Sequence, residues 1–127
     1  MTYKNRNIII DGTSYDVAIT SLKRTADVLD KYAYRDENGD LHREVIGTYY
    51  NYTLSIGVIN NDELYNKLFD VLAEPVAYHV VTLPHDNYKF EGYFSSVADE
   101  VVRLTPSGAH FKGLTCKLIA RLPRKRP

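Results

Sequence analysis

A single cysteine, Cys116, excludes an internal disulfide framework and any cysteine-cluster zinc site. Tryptophan is absent and phenylalanine occurs four times. No apolar run approaches the ~18 residues that cross a bilayer as a helix, so no membrane role is expected. An excess of one charge sign is missing too. The 16 basic and 16 acidic residues cancel, and no global field points to nucleic acid or to a membrane surface. The opening MTYKNRNIII lacks the apolar stretch and cleavage site of a secretory signal. Glycine-rich phosphate loops, internal repeats and low-complexity segments are also lacking.

Present instead are 127 residues, enough for one domain with its own core and too few for two. Residues 1–122 read as a single β-rich domain and residues 123–127 as a short basic tail. Eleven tyrosines stand out. Tyrosine favours strands and suits a sheet face that is half buried and half wet, or a surface buried in an assembly.

Hydrophobic period assigns the elements. Ile8-Ile9-Ile10 stops at Asp11-Gly12, a strong turn pair, and Tyr15, Val17 and Ile19 alternate after it, so residues 7–20 read as strand, tight turn, strand. A larger hairpin follows, with arms Val28 to Arg35 and Leu41 to Val58 around the polar loop Asp36-Glu37-Asn38-Gly39-Asp40. In its second arm Ile46, Tyr50, Tyr52, Leu54, Ile56 and Val58 share one parity, and the apolar face fades at His42, Arg43 and Glu44. Eighteen residues at about 3.3 Å each would span roughly 60 Å, so the arm bends at Gly47 or Gly57 or its tip leaves the body.

Residues 61–73 switch to a helical period. Leu64, Leu68, Val71 and Leu72 form the stripe, Tyr65 and Phe69 widen it, and Asn60 with Glu63 has the spacing of a capping box. Pro75 bars continuation. Strands then recur at Val76 to Leu83, Tyr88 to Val97, Val101 to Leu104 and Phe111 to Leu122, with turns at His85-Asp86-Asn87 and Thr105-Pro106-Ser107-Gly108. The order predicts a mainly β fold, an antiparallel β-sandwich or split barrel with one α-helix and a long projecting hairpin.

Reactive constellations are sparse. His79 and His85, with Asp86 adjacent, match no common ligand spacing, and His42 and His110 lie far off, so no metal is expected. Ser95, Ser96, Asp99 and Glu100 stand beside no histidine at a recognisable spacing. Cys116 shares its parity with Leu114, Leu118 and Ala120 and reads as a buried small hydrophobe. Asn51-Tyr52-Thr53 matches a glycosylation sequon, discounted as mid-strand in a chain without a secretion signal. No catalytic residue and no cofactor is expected. Arg121, Arg124, Lys125 and Arg126 leave 12 basic against 16 acidic residues elsewhere, a net charge of −4. Four terminal charges give at best weak, salt-dependent DNA binding, so nucleic acid is not an expected partner, and a solvated terminus is the simpler reading.

Several segments resemble small prophage structural proteins of Gram-positive bacteria. These are Gly47-Thr48-Tyr49-Tyr50-Asn51-Tyr52-Thr53-Leu54, the helix Asp62 to Leu72 followed by Glu74-Pro75-Val76, Val80-Val81-Thr82-Leu83-Pro84 and Gly113-Leu114-Thr115. The element order is similar to the tail-tube-like fold of phage tail tubes, distal tail proteins and baseplate hubs. That resemblance implies a non-enzymatic phage or prophage virion protein of the tail. It would self-associate in rings or dock to other tail proteins, and would reside in the host cytoplasm during assembly and then in the virion tail. The chain is short for a full tube protein, which leaves a distal, adaptor or completion role open. The hairpin tip, with Tyr34, Arg35, His42, Arg43 and Glu44, is the expected assembly contact. The rival reading is a carbohydrate- or protein-binding β-sandwich module that uses solvent-facing tyrosines such as Tyr34, Tyr49 and Tyr93.

Overall fold

Asp11 and Gly12 have φ of 52° and 84°, the left-handed pair that a two-residue hairpin turn requires. The computed structural model describes residues 7–57, 62–84, 88–106 and 108–127. Within them this turn joins β1 (Ile8–Ile10) to β2 (Thr13–Tyr15). A long hairpin follows, β3 (Ile19–Arg35) and β4 (Leu41–Ile56). Next come α1 (Asp62–Leu72), β5 (His79–Thr82), β6 (Lys89–Thr105) and β7 (Gly108–Ala120). The strands form one antiparallel seven-strand sheet in the order β2-β1-β5-β6-β7-β4-β3. The fold is thus mainly β with one helix and a projecting hairpin, in keeping with a β-sandwich or open barrel. No helix among the described residues is long and apolar enough to cross a membrane.

Alternation places the core. Tyr52, Leu54 and Ile56 of β4 and Leu114, Cys116 and Leu118 of β7 point to one face and are buried there. Ile8, Ile10, Val81 and Leu83 extend this face across the sheet. Helix α1 covers it with Tyr65, Leu68 and Leu72, the i, i+3, i+7 stripe that the helical period demands. The Tyr65 hydroxyl donates to the Asp99 carboxylate and so ties the helix to β6. Burial, and next that bond to a carboxylate, push the Tyr65 phenol well above its usual value. The proposed Asn60 cap and the His85-Asp86-Asn87 turn lie outside the described residues.

Three expected boundaries are corrected. Strand β3 starts at Ile19 rather than Val28, because backbone pairing with β4 carries it through the polar stretch Ser21 to Asp27. Tyr88 to Val97 and Val101 to Leu104 are one strand, β6. Its register with β7 shifts between Ser95 and Ala98, where Ser96 adopts φ 55°, so a bulge absorbs the apparent break. The loop Thr105 to Gly108 is the tip of a second long hairpin, since Thr105 pairs with Gly108.

The two long hairpins meet only near their bases. Strand β4 pairs with β7 from Tyr52↔Leu118 to Ile56↔Leu114. Beyond Tyr52 the β3–β4 hairpin continues to Leu41, and beyond Leu114 the β6–β7 hairpin continues the other way to Gly108. Antiparallel pairing therefore sends the two arms out from opposite ends of the sheet.

Core and arm should respond differently to truncation. Leu68→Ala removes a fully buried side chain and is expected to cost about 2–5 kcal/mol in urea unfolding. Leu104→Ala, at a position 78% exposed on the β6–β7 arm, should stay within about 0.5 kcal/mol of the parent. Equal losses would place Leu104 in the core and refute the opposed-arm geometry.

Candidate functional site

The tip of the β3–β4 arm is ordered by its own side chains. Asp36 Oδ1 accepts the backbone N–H of Asn38 at 2.9 Å and of Asp40 at 3.1 Å. Its Oδ2 accepts His42 Nε2–H at 2.9 Å. That histidine bond, ahead of the backbone ones, holds the Asp36 carboxyl below its ordinary value. Arg35 Nη1 donates to the Gly39 carbonyl at 2.9 Å, and Gly39 has the positive φ of 84° that closes the turn.

The five expected contact residues divide between two faces. Register pairs Tyr34 with His42 and Tyr32 with Glu44, so these four share one face, where Tyr34 stacks on His42 at 5.1 Å. Arg35 pairs with Leu41 and Ala33 with Arg43, which puts both arginines on the other face. There Arg43 Nε donates to Asp30 Oδ1 at 2.7 Å. Sequence reading missed the apolar members of this surface. Val28, Leu29, Tyr32, Leu41 and Ile46 are all exposed, and Tyr34 is exposed to 55%. The parity shared by Tyr32 and Tyr34 was the signal that could have found the first of them.

The remaining polar candidates serve the framework. His79 is buried, and its partner is Asp11, not His85 or Asp86. His79 Nδ1–H donates to Asp11 Oδ2 at 2.6 Å, and Asp11 Oδ1 accepts Val80 N–H at 2.9 Å. The turn residue of the first hairpin thus pins β5. His79 Nε2 is buried against Phe94 with no hydrogen-bond partner among the described residues. Asn51 sits mid-strand because both ends of its amide are used: Nδ2 donates to Asp27 and Oδ1 accepts Ala120 N–H where β7 ends. Burial pushes the Cys116 thiol up to about 12, so it carries no thiolate near neutral pH. Among the described residues no three His, Cys, Asp or Glu side chains converge in a way that could hold a metal ion.

The basic terminus is docked. Thr48 N–H donates to the Lys125 carbonyl and Arg124 N–H to the Thr48 carbonyl, each at 2.8 Å. The Arg124 guanidinium lies 3.4 Å from the centre of the Tyr88 ring and 5.3 Å from that of Tyr50. Gly47 makes room for this crossing, since a Cβ there would meet Pro123 Cβ at 2.6 Å and the Lys125 carbonyl at 2.8 Å. Between terminus and sheet lies a cleft of about 480 Å³ lined by Tyr50, Tyr52, Tyr88 and Phe90 with Lys89 and Arg126. Arg124 thus lies over one face of Tyr88 at the wall of this cleft. No protein-family profile matches the chain, and no curated protein is significantly similar to it.

Two outcomes follow. The bond from His79, then that from Val80, lowers the Asp11 carboxyl below its usual value. Stability from that shift is present above the unfolded aspartate value near ~3.9 and is lost as pH falls through the lower folded value. Asp11→Asn, which tolerates the same positive φ, should flatten the fall of the urea midpoint with acid; an unchanged pH slope refutes the coupling. Gly47→Ala should expose the terminus, seen as faster limited tryptic cleavage at Arg124 with the core still cooperative. Cleavage at the parental rate would show that the terminus does not need that space.

Proposed function

We propose that the protein is a non-enzymatic structural component that acts by assembly. In this reading it is a phage or prophage virion protein of the tail, as a tube, distal or baseplate part. The observation that carries it is the pair of long hairpins leaving one sheet at opposite ends, each exposing apolar side chains: Tyr34, Leu41 and Ile46 on one and Leu104 on the other. A two-stranded arm beyond its core has little to offset a backbone ordering cost of about 1–2 kcal/mol per residue. The Asp36 network compensates part of this at one tip. Burial of the exposed aromatic and aliphatic residues against neighbouring copies or other tail proteins supplies the rest. Such a protein would gather in the host cytoplasm and end in the virion tail.

A carbohydrate-binding module is the second reading. It is favoured by Tyr49 and Tyr93, whose register places both on the sheet face away from α1. Retention on a polysaccharide column, lost in Tyr93→Ala, would support it over assembly.

Replacing residues 35–43 by a two-residue Asn-Gly turn tests the leading reading. None of the buried core residues lies in that segment, so the shortened chain should fold with an unchanged urea midpoint. It should lose higher-order assembly in light scattering and electron microscopy. Normal assembly by the shortened chain would remove the arm from the mechanism.

A further inference from the structure

The sheet ends differently on its two sides. One edge is β2, three residues long; the other is β3, seventeen residues long. Among the described residues nothing pairs with the outer side of β3. Edge strands in soluble proteins are normally short, bulged, charged or covered, because a free row of N–H and C=O groups recruits another strand. Strand β3 is bulged only around a central stretch. Register shifts fall between Ile19 and Ser21 and again between Leu29 and Asp30, and the residues from Ser21 to Leu29 keep unbroken register with β4.

We propose that this open edge is a self-pairing surface, with Ser21–Leu29 of one copy running antiparallel to the same segment of a second copy about a two-fold axis at Thr25. The inference rests on the assembly reading for its premise that the chain self-associates, and names a partner surface distinct from the arm tips.

Symmetry restricts the choices. An axis normal to the sheet keeps each face on its own side, so paired positions must have the same parity. Centred on Thr25, Lys23 stands opposite the second copy's Asp27, twice per dimer, and Leu22 stands opposite the second copy's Val28, also twice. Opposite charges and apolar pairs in directly facing positions favour a register. Centring on Arg24 would set two arginines face to face. Centring on Ala26 pairs no charges and runs into the bulge at Leu29 and Asp30. Only the Thr25 axis turns Lys23, otherwise an obstacle to pairing, into an attractive contact.

The side chains are placed for it. Register puts Lys23, Thr25 and Asp27 on the outer face with Thr53, Asn51 and Tyr49 of β4. Lys23 is exposed and makes no ion pair among the described residues. Asp27 is steadied by Asn51 Nδ2, which donates to its Oδ2 at 2.8 Å, while Oδ1 has no hydrogen-bond partner among the described residues. On the other face, half-buried Leu22 borders the core, and Val28 is 51% exposed. A single strand pair is a small interface, which makes the dimer one that forms at micromolar protein and above.

Sedimentation equilibrium across the micromolar range should show a reversible monomer–dimer step. Lys23→Glu and Asp27→Lys should each weaken it roughly tenfold or more, because each places like charges opposite one another twice. An equimolar mixture of the two variants should recover the dimer, since every facing pair is then again of opposite sign; that recovery also shows both variants to be folded. Thr25→Cys should form an intermolecular disulfide under mild oxidation, as residues facing each other across antiparallel strands lie about 4.5–5.5 Å apart at Cα, within disulfide reach. The buried Cys116 should not contribute. The chain with residues 35–43 replaced should still dimerise in this way, which separates the edge from the arm tip. A parental chain that stays monomeric, single variants that dimerise as well as the parent, or a mixture that fails to recover would each overturn the proposal.

Discussion

The short joint between β4 and β7 is the constraint on which the rest of the molecule depends. Tyr52, Leu54 and Ile56 face Leu118, Cys116 and Leu114 across it, and all six are buried. A slip of one residue in this register would turn that apolar set out to solvent and polar neighbours such as Thr53 and Lys117 into the core. Strong specification of the joint fixes everything beyond it. Because the paired stretch lies near the C-terminal end of β4 and ends before the start of β7 is reached, the unpaired remainder of each hairpin must leave in opposite directions. Opposed arms are thus a consequence of where the hydrophobic register was written, and need no contact between them.

The free part of β4 past the joint would present a second open edge. Two devices occupy it. Asn51 ends β7 by accepting Ala120 N–H, and the terminus then returns so that Lys125 bridges Thr48. The terminus is held by the cation–π contact of Arg124 with Tyr88 and by three backbone bonds to Thr48. A basic pentapeptide that looks solvated by composition thus closes an edge. Strand β3 has no such cover among the described residues, and the contrast within one sheet is what singles out its outer side as a surface for pairing.

Elements with one wet and one dry face were legible in the sequence, and the rest were not. Helix α1 and the second arm of the long hairpin announced themselves because Leu64, Leu68 and Leu72, or Tyr52, Leu54 and Ile56, carry a period that burial imposes. The stretch Ser21 to Asp27 carried none, since apart from half-buried Leu22 and Thr25 its side chains are exposed and its extended state is imposed by pairing with β4. The expected division into two strands at Val97 and Val101 has a related reason: a bulge at Ser96 resets the parity, so the alternation seems to stop while the strand continues. Tyr34, Arg35, His42, Arg43 and Glu44 were singled out as candidates only by their place beside a polar turn. Their division between two faces depends on register near the Leu29 and Asp30 shift, which no local pattern encodes.

The polar chemistry of the body is used to hold elements in place. Asp11 is the turn residue of the first hairpin and the acceptor that fixes His79 and Val80 of β5. Asp99 receives the hydroxyl of Tyr65 and so sets the helix against the bulged strand. Asn51 joins β3, β4 and the end of β7 through one amide. Each of these groups bridges two elements far apart in sequence, and the bonds made by Tyr65, His79 and Ala120 N–H satisfy polar atoms that burial would otherwise penalise. The groups left open to a partner lie elsewhere: Lys23 and Val28 along the free edge, Tyr34 and Leu41 near one tip and Leu104 near the other. The internal polar groups of the body act as fasteners, and its exposed apolar and unpaired strand surface lies along one edge and two tips. In the proposed edge-to-edge dimer, specificity would reside in register, and the facing pair Lys23 and Asp27 is the part of the edge that sets it.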